Sequence, residues 1–263
     1  MRSYVLVVLC LLLLTGCAPA EPAPTPIPTV AETTPPVTDP PTEAPTEAPT
    51  EAPTLPPHSE LYIPGVEVED VITYFNEVCL NAEYVNSGDP SYLQRWSAPI
   101  TYRVYGEPTG EDLDKIEEFS DWLNTLFGFP GIYSVDAGEY VSLQIHFCDQ
   151  DTMVDLLGEN FSFADGGVTF WYEGDVIYDA IICIRSDLDQ YLRNSVILEE
   201  IYNGLGPVQD TDLRPDSIIY SAFSEPQELT EMDKLILKLL YHPDLRCGMN
   251  AAECEAAIRQ LYY

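Results

Sequence analysis

Apolar side chains recur along the last two hundred residues in two different periods, which predicts a sheet with helices packed on it. A spacing of three and four residues is typical of amphipathic helices. It predicts helices over residues 68–82, 111–127, 152–157, 196–205 and 229–241, and a short one from residue 251. Alternation of apolar and polar residues predicts strands over residues 100–105 and 141–147, and a pair of strands is predicted over residues 168–172 and 176–184, on either side of Glu173-Gly174-Asp175. From this order we expect an α+β fold: a single domain with a twisted mixed sheet, helices packed on it and a helical C-terminal part.

The first seventeen residues have a different pattern, because Arg2 precedes an uninterrupted apolar run over residues 4–14. The run is too short to span a bilayer core of about 30 Å and is typical of a signal peptide. It ends in Leu14-Thr15-Gly16-Cys17, which resembles the lipobox of bacterial lipoproteins. The resemblance implies a signal peptide over residues 1–17, palmitate or similar acyl chains on Cys17, and anchoring at the extracytoplasmic face of a bacterial cell membrane. The alternative is an ordinary secretory peptide in which Cys17 has no role.

A proline-rich segment follows over residues 18–59. Fourteen of the 23 prolines lie between residues 19 and 57, and the sequence Thr-Glu-Ala-Pro occurs three times over residues 42–53. Such a segment has few apolar side chains to bury, and its prolines favour an extended conformation. We therefore expect a disordered stalk that separates the anchor from a globular domain over residues 60–263.

The charge of the chain excludes one class of partner. There are 44 acidic and 11 basic residues, which give a formal net charge of −33. Six of the acidic residues and one of the basic residues precede residue 60, so 38 and 10 belong to the globular domain. Nucleic acids need Lys and Arg to displace counterions, so we expect no nucleic-acid partner. The three histidines are too few for most mechanisms that need several imidazoles.

The most informative segment is residues 198–220. In zinc metallopeptidases of the zincin group, a helix carries His-Glu-x-x-His, whose two histidines bind zinc while the glutamate acts as the base. The metzincin form adds a glycine, a third histidine and a turn that contains methionine. Residues 198–220 resemble this frame without gaps. Its three ligand positions carry Glu199, Asn203 and Gln209, and the position of the base carries Glu200.

The rest of the frame is also present. Gly206 takes the place of the glycine, and residues 217–220 take that of the methionine-containing turn, with Ile219 in place of methionine. The likeness covers roughly residues 100–225. Together with residues 71–95 and 235–249, the chain is similar to an uncharacterised bacterial family of degenerate zincins. This resemblance implies a zincin-like fold and no particular activity.

The substituted ligands change the expected chemistry. Glu199, Asn203 and Gln209 offer only oxygen donors, whereas zinc at such a helix prefers nitrogen or sulfur. We therefore expect no cofactor and no zinc, and at most weak calcium binding. On the frame, these three residues line a cleft with Tyr202 and Tyr220, where a carboxylate holds a hydrogen-bond network instead of a metal. The alternative is that Glu199 and Glu200 are an acidic pair on the surface of a helix.

Other candidate residues have simpler interpretations. His146 lies in a strand, where packing or exposure is favoured over catalysis. His242 precedes a proline at a helix end, where a cation suits the helix dipole. Asp210 and Asp212 are typical turn formers. The sequence contains no Ser-His-Asp order, phosphate-binding loop or Cys-x-x-Cys spacing.

The globular domain has an odd number of cysteines, which means that at least one is free or pairs with another chain. They are Cys79, Cys148, Cys183, Cys247 and Cys254. Cys247 and Cys254 are the best candidates for a disulfide in an oxidising compartment. Cys148 and Cys183 lie in strands, where they suit the role of small buried apolar residues.

Three functions remain open. The first is a lipoprotein whose degenerate zincin-like domain is a non-catalytic module that binds a peptide, a protein or a cell-wall component. The second is a hydrolase that reuses the cleft with Glu200 as general base. The third is a structural surface module whose cleft is filled by side chains.

Overall fold

The chain is built on one seven-stranded sheet in a computed structural model, which describes residues 5–7, 60–80, 92–222 and 225–262. The strands are β1 (Val5–Val7), β2 (Arg95–Trp96), β3 (Ile100–Gly106), β4 (Ile132–Ser134), β5 (Leu143–Cys148), β6 (Gly166–Glu173) and β7 (Val176–Arg185). The helices are α1 (Val68–Leu80), α2 (Gly110–Asn124), α3 (Gln150–Leu157), α4 (Gln190–Gly204), α5 (Glu231–Tyr241) and α6 (Ala251–Leu261). A 3-10 helix over Glu159–Phe161 follows α3.

The sheet has the order β1-β6-β7-β5-β3-β4, and β2 pairs with β7 outside this path. Among the strands that the structure describes, only β6 and β7 pair in an antiparallel direction, and the other pairs are parallel. Gly174 and Asp175 both have positive φ, of 55° and 65°, at the turn that joins β6 to β7. Two such residues suit a tight hairpin turn, because their twist matches that of the strands. The expected mixed sheet, packed helices and helical C-terminal part are confirmed.

Helices cover both faces of the sheet. Alternate residues of β6 and β7, among them Phe170 and Ile182, belong to the larger core, which also holds apolar residues of α1, α2, α4, α5 and α6. Cys183 points to the opposite face and packs against Met153, Leu157 and Phe161 from α3 and the 3-10 helix. The alternation of side chains along a strand accounts for this division.

The structure differs from the sequence-based prediction at one end of α4 and in two short strands. Helix α4 begins at Gln190, six residues before the predicted start at residue 196, because its first turns carry polar side chains that contact α2. The strands β2 and β4 contain two and three residues, too few for a detectable alternation. Each depends on pairing with a distant strand.

The predicted signal peptide and stalk, including Cys17, lie outside the described residues except for Val5–Val7. This strand pairs in parallel with β6, with Val5 opposite Val168. Cleavage before Cys17, as the lipobox predicts, would remove β1 and leave β6 at the edge of the sheet.

Among the described helices, none combines the length and the apolar character needed to cross a membrane.

Candidate functional site

Helix α4 carries the metallopeptidase-like frame, and its first turns are fixed to α2 by a buried ion pair. The Asp189 side chain caps the helix by accepting a hydrogen bond from Leu192 N at 3.2 Å. Arg193 Nε donates to Asp112 Oδ1 at 2.9 Å, and Asp112 is fully buried. Burial raises the pKa of Asp112, but hydrogen bonds from the Thr109 amide, Gln190 and Arg193 outweigh it and hold the pKa below its usual value.

The C-terminal half of α4 lies against the sheet. A Cβ atom added to Gly204, the last residue of the helix, would lie 3.4 Å from Ile182 Cδ1, in van der Waals contact with β7. Trp96 Nε1 donates to Gly204 O at 2.9 Å and joins β2 to the end of the helix. On β6, a Cβ atom added to Gly166 would lie 2.8 Å from both Cγ and Oε1 of Glu200. The Glu200 side chain therefore lies directly over the start of β6, in space that a larger residue would fill.

The structure buries the centre of the frame. Glu200 is 0% exposed and Asn203 is 1% exposed. Neither amide atom of Asn203 has a hydrogen-bond partner within the described residues. Tyr202 is also buried, and its hydroxyl donates to Asp233 O at 3.0 Å, which joins α4 to α5. The residue at the position of the base therefore has no surface in contact with solvent.

The outer members of the predicted cleft are only partly covered. Glu199, Gln209 and Tyr220 are half-buried, unlike Asn203 and Tyr202, which lie in the core. These five residues thus differ in burial instead of lining one open cleft. The hydrogen-bonded neighbourhood of Tyr202 is α5, which the sequence does not place beside the frame.

The backbone conformation at Gly206 explains why the frame has a glycine at this position. Gly206 has a φ of +131°, and a Cβ atom there would lie 2.6 Å from Gln94 O. Both the backbone conformation and the close approach require glycine. The chain then follows α1, since Val208 N donates to Val78 O at 2.8 Å.

Residues 217–220, which resemble the methionine-containing turn, are joined to α1 and α5 by buried hydrogen bonds, and we call this arrangement the buried support. Ser217 Oγ donates to Asp233 Oδ1 at 2.7 Å and accepts from Tyr74 OH at 2.8 Å. Ser217, Ile219 and Asp233 are 0% exposed. Burial, followed by the nearby Asp233 carboxylate, raises the pKa of Tyr74. This network holds the turn between α1 and α5.

The residues of the frame do not fit a zinc ion. Their ligand positions carry one carboxylate and two amides, and Asn203 is enclosed in the core. In the described part of the chain, no group of three or more His, Cys, Asp or Glu side chains is arranged to hold a metal.

The remaining histidines and the acidic turn take structural positions. His146 is half-buried, stacks on Tyr105 with ring centroids 4.6 Å apart, and lies 3.2 Å from Gln144 Oε1. Burial lowers the pKa of its imidazole. His242 is the C-cap residue of α5, as its place before a proline predicts. Asp212 accepts a hydrogen bond from Ser221 in the turn after α4.

The five cysteines that the structure describes are all free thiols. Cys247 Sγ lies 3.7 Å from Arg95 O and 3.5 Å from Ser97 Oγ. Cys254 lies in the core, where its charge would raise the pKa of the buried Cys79 thiol beyond the effect of burial alone. The disulfide between Cys247 and Cys254 stays a prediction.

A groove with a cavity volume of about 290 Å³ lies between α2, α4 and the start of α5. It is lined by Lys115, Glu118, Phe119 and Trp122 of α2, Leu198 of α4, Gln227, Glu228 and Leu229 before α5, and Lys234 of α5. The Phe119 and Trp122 rings stack with centroids 5.8 Å apart. Lys115 and Lys234 are two of only three lysines in the chain. The groove is therefore apolar at its base and has no net formal charge, in a domain that is strongly acidic.

No motif in the sequence marks the groove. The signal available was the scarcity of lysine, with Lys115 and Lys234 each beside an apolar helix face. Nothing in the sequence indicates that α2 and α5 approach one another across Leu198, because that depends on how both helices pack on the sheet. The Arg193–Asp112 and Ser217–Asp233 pairs are likewise not predictable from the sequence, because each joins two elements whose packing the sequence pattern does not give.

A family model described as "Protein of unknown function (DUF2927)" matches residues 68–260. The chain belongs to this family. The match runs from the first residue of α1 into α6 and includes the frame, the buried support and the groove. A search of curated proteins found no match to the chain.

Proposed function

We propose that this DUF2927 protein is a lipoprotein held by Cys17 at the extracytoplasmic face of a bacterial cell membrane, and that its domain is a non-catalytic binding module. The domain is zincin-like in this proposal: an antiparallel strand, β6, precedes β7, and α4 packs against both. The partner is a peptide, either free or part of a protein or of the cell wall.

One observation carries the non-catalytic assignment: Glu200, at the position of the base, is fully buried. A general base must come within about 3 Å of the proton that it removes, directly or through one water. Glu200 instead lies against Gly166 of β6, inside the packed interface between helix and sheet. This arrangement favours a structural role for the frame over the alternative of a hydrolase.

The groove is the surface that best suits a ligand. Trp122 and Leu198 offer an apolar contact, and two ammonium groups approach from different helices. Lys115 lies 3.7 Å from Glu118, and Lys234 lies 2.9 Å from Glu231. These pairs are partly exposed, so exchanging a lysine partner for a carboxylate of the ligand costs little. The occupant that fits is a short peptide with an apolar side chain next to a carboxylate.

The test uses the full-length protein and two labelled hexapeptides, one of alternating leucine and glutamate and one of alternating leucine and glutamine. General repulsion by the acidic protein disfavours the glutamate peptide, so its tighter binding would point to the lysines. We expect the preference to disappear in the double variant Lys115→Gln, Lys234→Gln. It should persist in Lys238→Gln, which removes one positive charge from α5 outside the groove. Equal binding of both peptides, or a preference that survives the double variant, would contradict this site.

A further inference from the structure

Two cysteines are diagonal neighbours near the carboxyl ends of two adjacent parallel strands. His146 of β5 is opposite Cys183 of β7. Cys148 follows His146 by two residues and is opposite Arg185. Residues two apart on a strand share a face, so both thiols lie on the face that packs against α3. Cys148 accordingly contacts the small core of which Cys183 is a member.

The two thiols are neighbours on one face of the sheet but have different environments. The Cys183 side chain is the main cause of the lowered pKa of Cys148. The Cys148 side chain, followed by burial, raises the pKa of Cys183. Cys183 is 0% exposed, whereas Cys148 is half-buried and immediately precedes the Asp149 cap of α3. A lowered pKa and partial exposure are typical of a reactive thiol, so Cys148 is the more reactive of the two. Cys183 is the neighbouring thiol that can react with Cys148 afterwards.

We propose that Cys148 and Cys183 are a modification site, a dithiol that forms an intramolecular disulfide by exchange with a small-molecule disulfide such as oxidised glutathione. The Cys148 thiolate attacks one sulfur of glutathione disulfide, the S–S bond breaks, and one glutathione thiolate leaves and takes up a proton. Cys183 then attacks the Cys148 sulfur, the bond between Cys148 and glutathione breaks, and the proton of the Cys183 thiol passes to the departing glutathione sulfur. The dithiol is oxidised by two electrons, and one glutathione disulfide is reduced to two thiols.

The other cysteines of the described residues do not offer this arrangement. Cys79 and Cys254 lie near each other but both are buried, so a dissolved disulfide cannot reach them in the folded protein. Cys247 is half-buried like Cys148, but its sulfur lies against Arg95 O and the Ser97 hydroxyl. Cys247 therefore provides a matched control of similar exposure.

The experiment treats the reduced, folded full-length protein with oxidised glutathione, blocks the remaining thiols with an alkylating reagent, and maps the products by mass spectrometry. Trypsin alone leaves both cysteines within residues 116–185, because no Lys or Arg lies between Lys115 and Arg185. Additional cleavage after glutamate separates Cys148, in residues 140–159, from Cys183, in residues 174–185. We expect these two peptides to be joined without reduction.

Two variants test the order of the steps. Cys183→Ala should stop after the first exchange and retain one glutathione on Cys148. Cys148→Ser, in which the changed side chain is half exposed, should form no bond at Cys183. Oxidation should raise the Tm of the wild type and of Cys247→Ser by roughly 5–10 °C, and should not change that of Cys148→Ser. Stable glutathione on Cys148 of the wild type, a bond from either cysteine to another, or reaction only at Cys247 would each overturn the proposal.

Discussion

Ser217 Oγ donates a hydrogen bond to Asp233 Oδ1 at 2.7 Å, and both residues are completely buried. This bond fastens the turn after α4 to the first turn of α5. Asp233 Oδ2 also accepts from the amide and hydroxyl of Thr230 at 2.9 and 2.7 Å, which completes the cap of α5. One carboxylate therefore fixes both the turn and the helix that passes the groove.

Replacing this serine should destabilise the domain. Ser217→Ala removes a donor from a buried carboxylate, so we expect the free energy of unfolding to fall by about 2 kcal/mol. Chemical denaturation followed by circular dichroism measures it. Ser221→Ala is the control, because its hydroxyl contacts Asp212 at the surface, and its effect should be below about 0.5 kcal/mol. An equal loss in both variants would argue against the buried support.

The Arg193–Asp112 pair should be a larger and pH-dependent contribution to stability. Arg193→Met leaves the buried Asp112 carboxylate without its ion-pair partner, and we expect a loss of about 3–5 kcal/mol at pH 7. The folded pKa of Asp112 is lowered relative to an unfolded value of about 3.9, so its contribution is present above that value and is lost as the pH falls through the folded pKa.

Denaturation at pH 7 and pH 3 therefore separates the wild type from the variant. The difference between them should be smaller at pH 3, because Asp112 of the variant lacks the hydrogen bond from Arg193, takes up its proton at a higher pH than in the wild type and then carries no buried charge. Arg259→Met, which breaks an exposed pair with Glu69 and Glu255, should have little effect at either pH. A penalty in Arg193→Met that grows on acidification would contradict this assignment.

Gly206 should tolerate no side chain. Gly206→Ala combines an unfavourable φ with a contact of 2.6 Å to Gln94 O, so we expect it to destabilise the domain by about 2 kcal/mol or more. Gly65→Ala separates the two causes, since Gly65 also has positive φ but has open space around it. Its cost should be about 1 kcal/mol. Equal costs in the two variants would show that the close approach contributes nothing.

The lipid anchor is tested by metabolic labelling with radioactive palmitate in a bacterial host. The wild type should incorporate the label, and Cys17→Ser should lose it because the acylated sulfur is absent. Cys10→Ser should remain labelled, since Cys10 lies within the apolar run that precedes the cleavage point. Incorporation that persists in Cys17→Ser would show that Cys17 is not the site of attachment.

Local patterns in the sequence predict much of the fold. The spacing of Val71, Phe75 and Val78 predicts α1, and alternation around Ile145 predicts β5, because both elements bury one continuous apolar face. The start of α4 was not predictable in this way, since Arg193 and Asn194 interrupt the apolar period and are buried through contacts with α2.

The sequence predicts which residues form the frame. It does not predict how deeply these residues are buried. The frame correctly indicates a helix through Glu200 and Asn203 and a glycine-dependent turn at Gly206. Whether such residues face a cleft or a packed sheet depends on how closely the helix approaches β6. That distance is set by small residues such as Gly166, which lie far from the frame in sequence.

The most direct test of the non-catalytic assignment measures zinc content and peptide cleavage together, on the full-length protein and on Glu200→Gln. The protein is saturated with zinc, freed of excess metal and incubated with a peptide library. We predict less than stoichiometric zinc and no difference in cleavage between the two proteins. One zinc ion per chain, with cleavage that Glu200→Gln abolishes, would contradict the account and identify Glu200 as the base of an active peptidase.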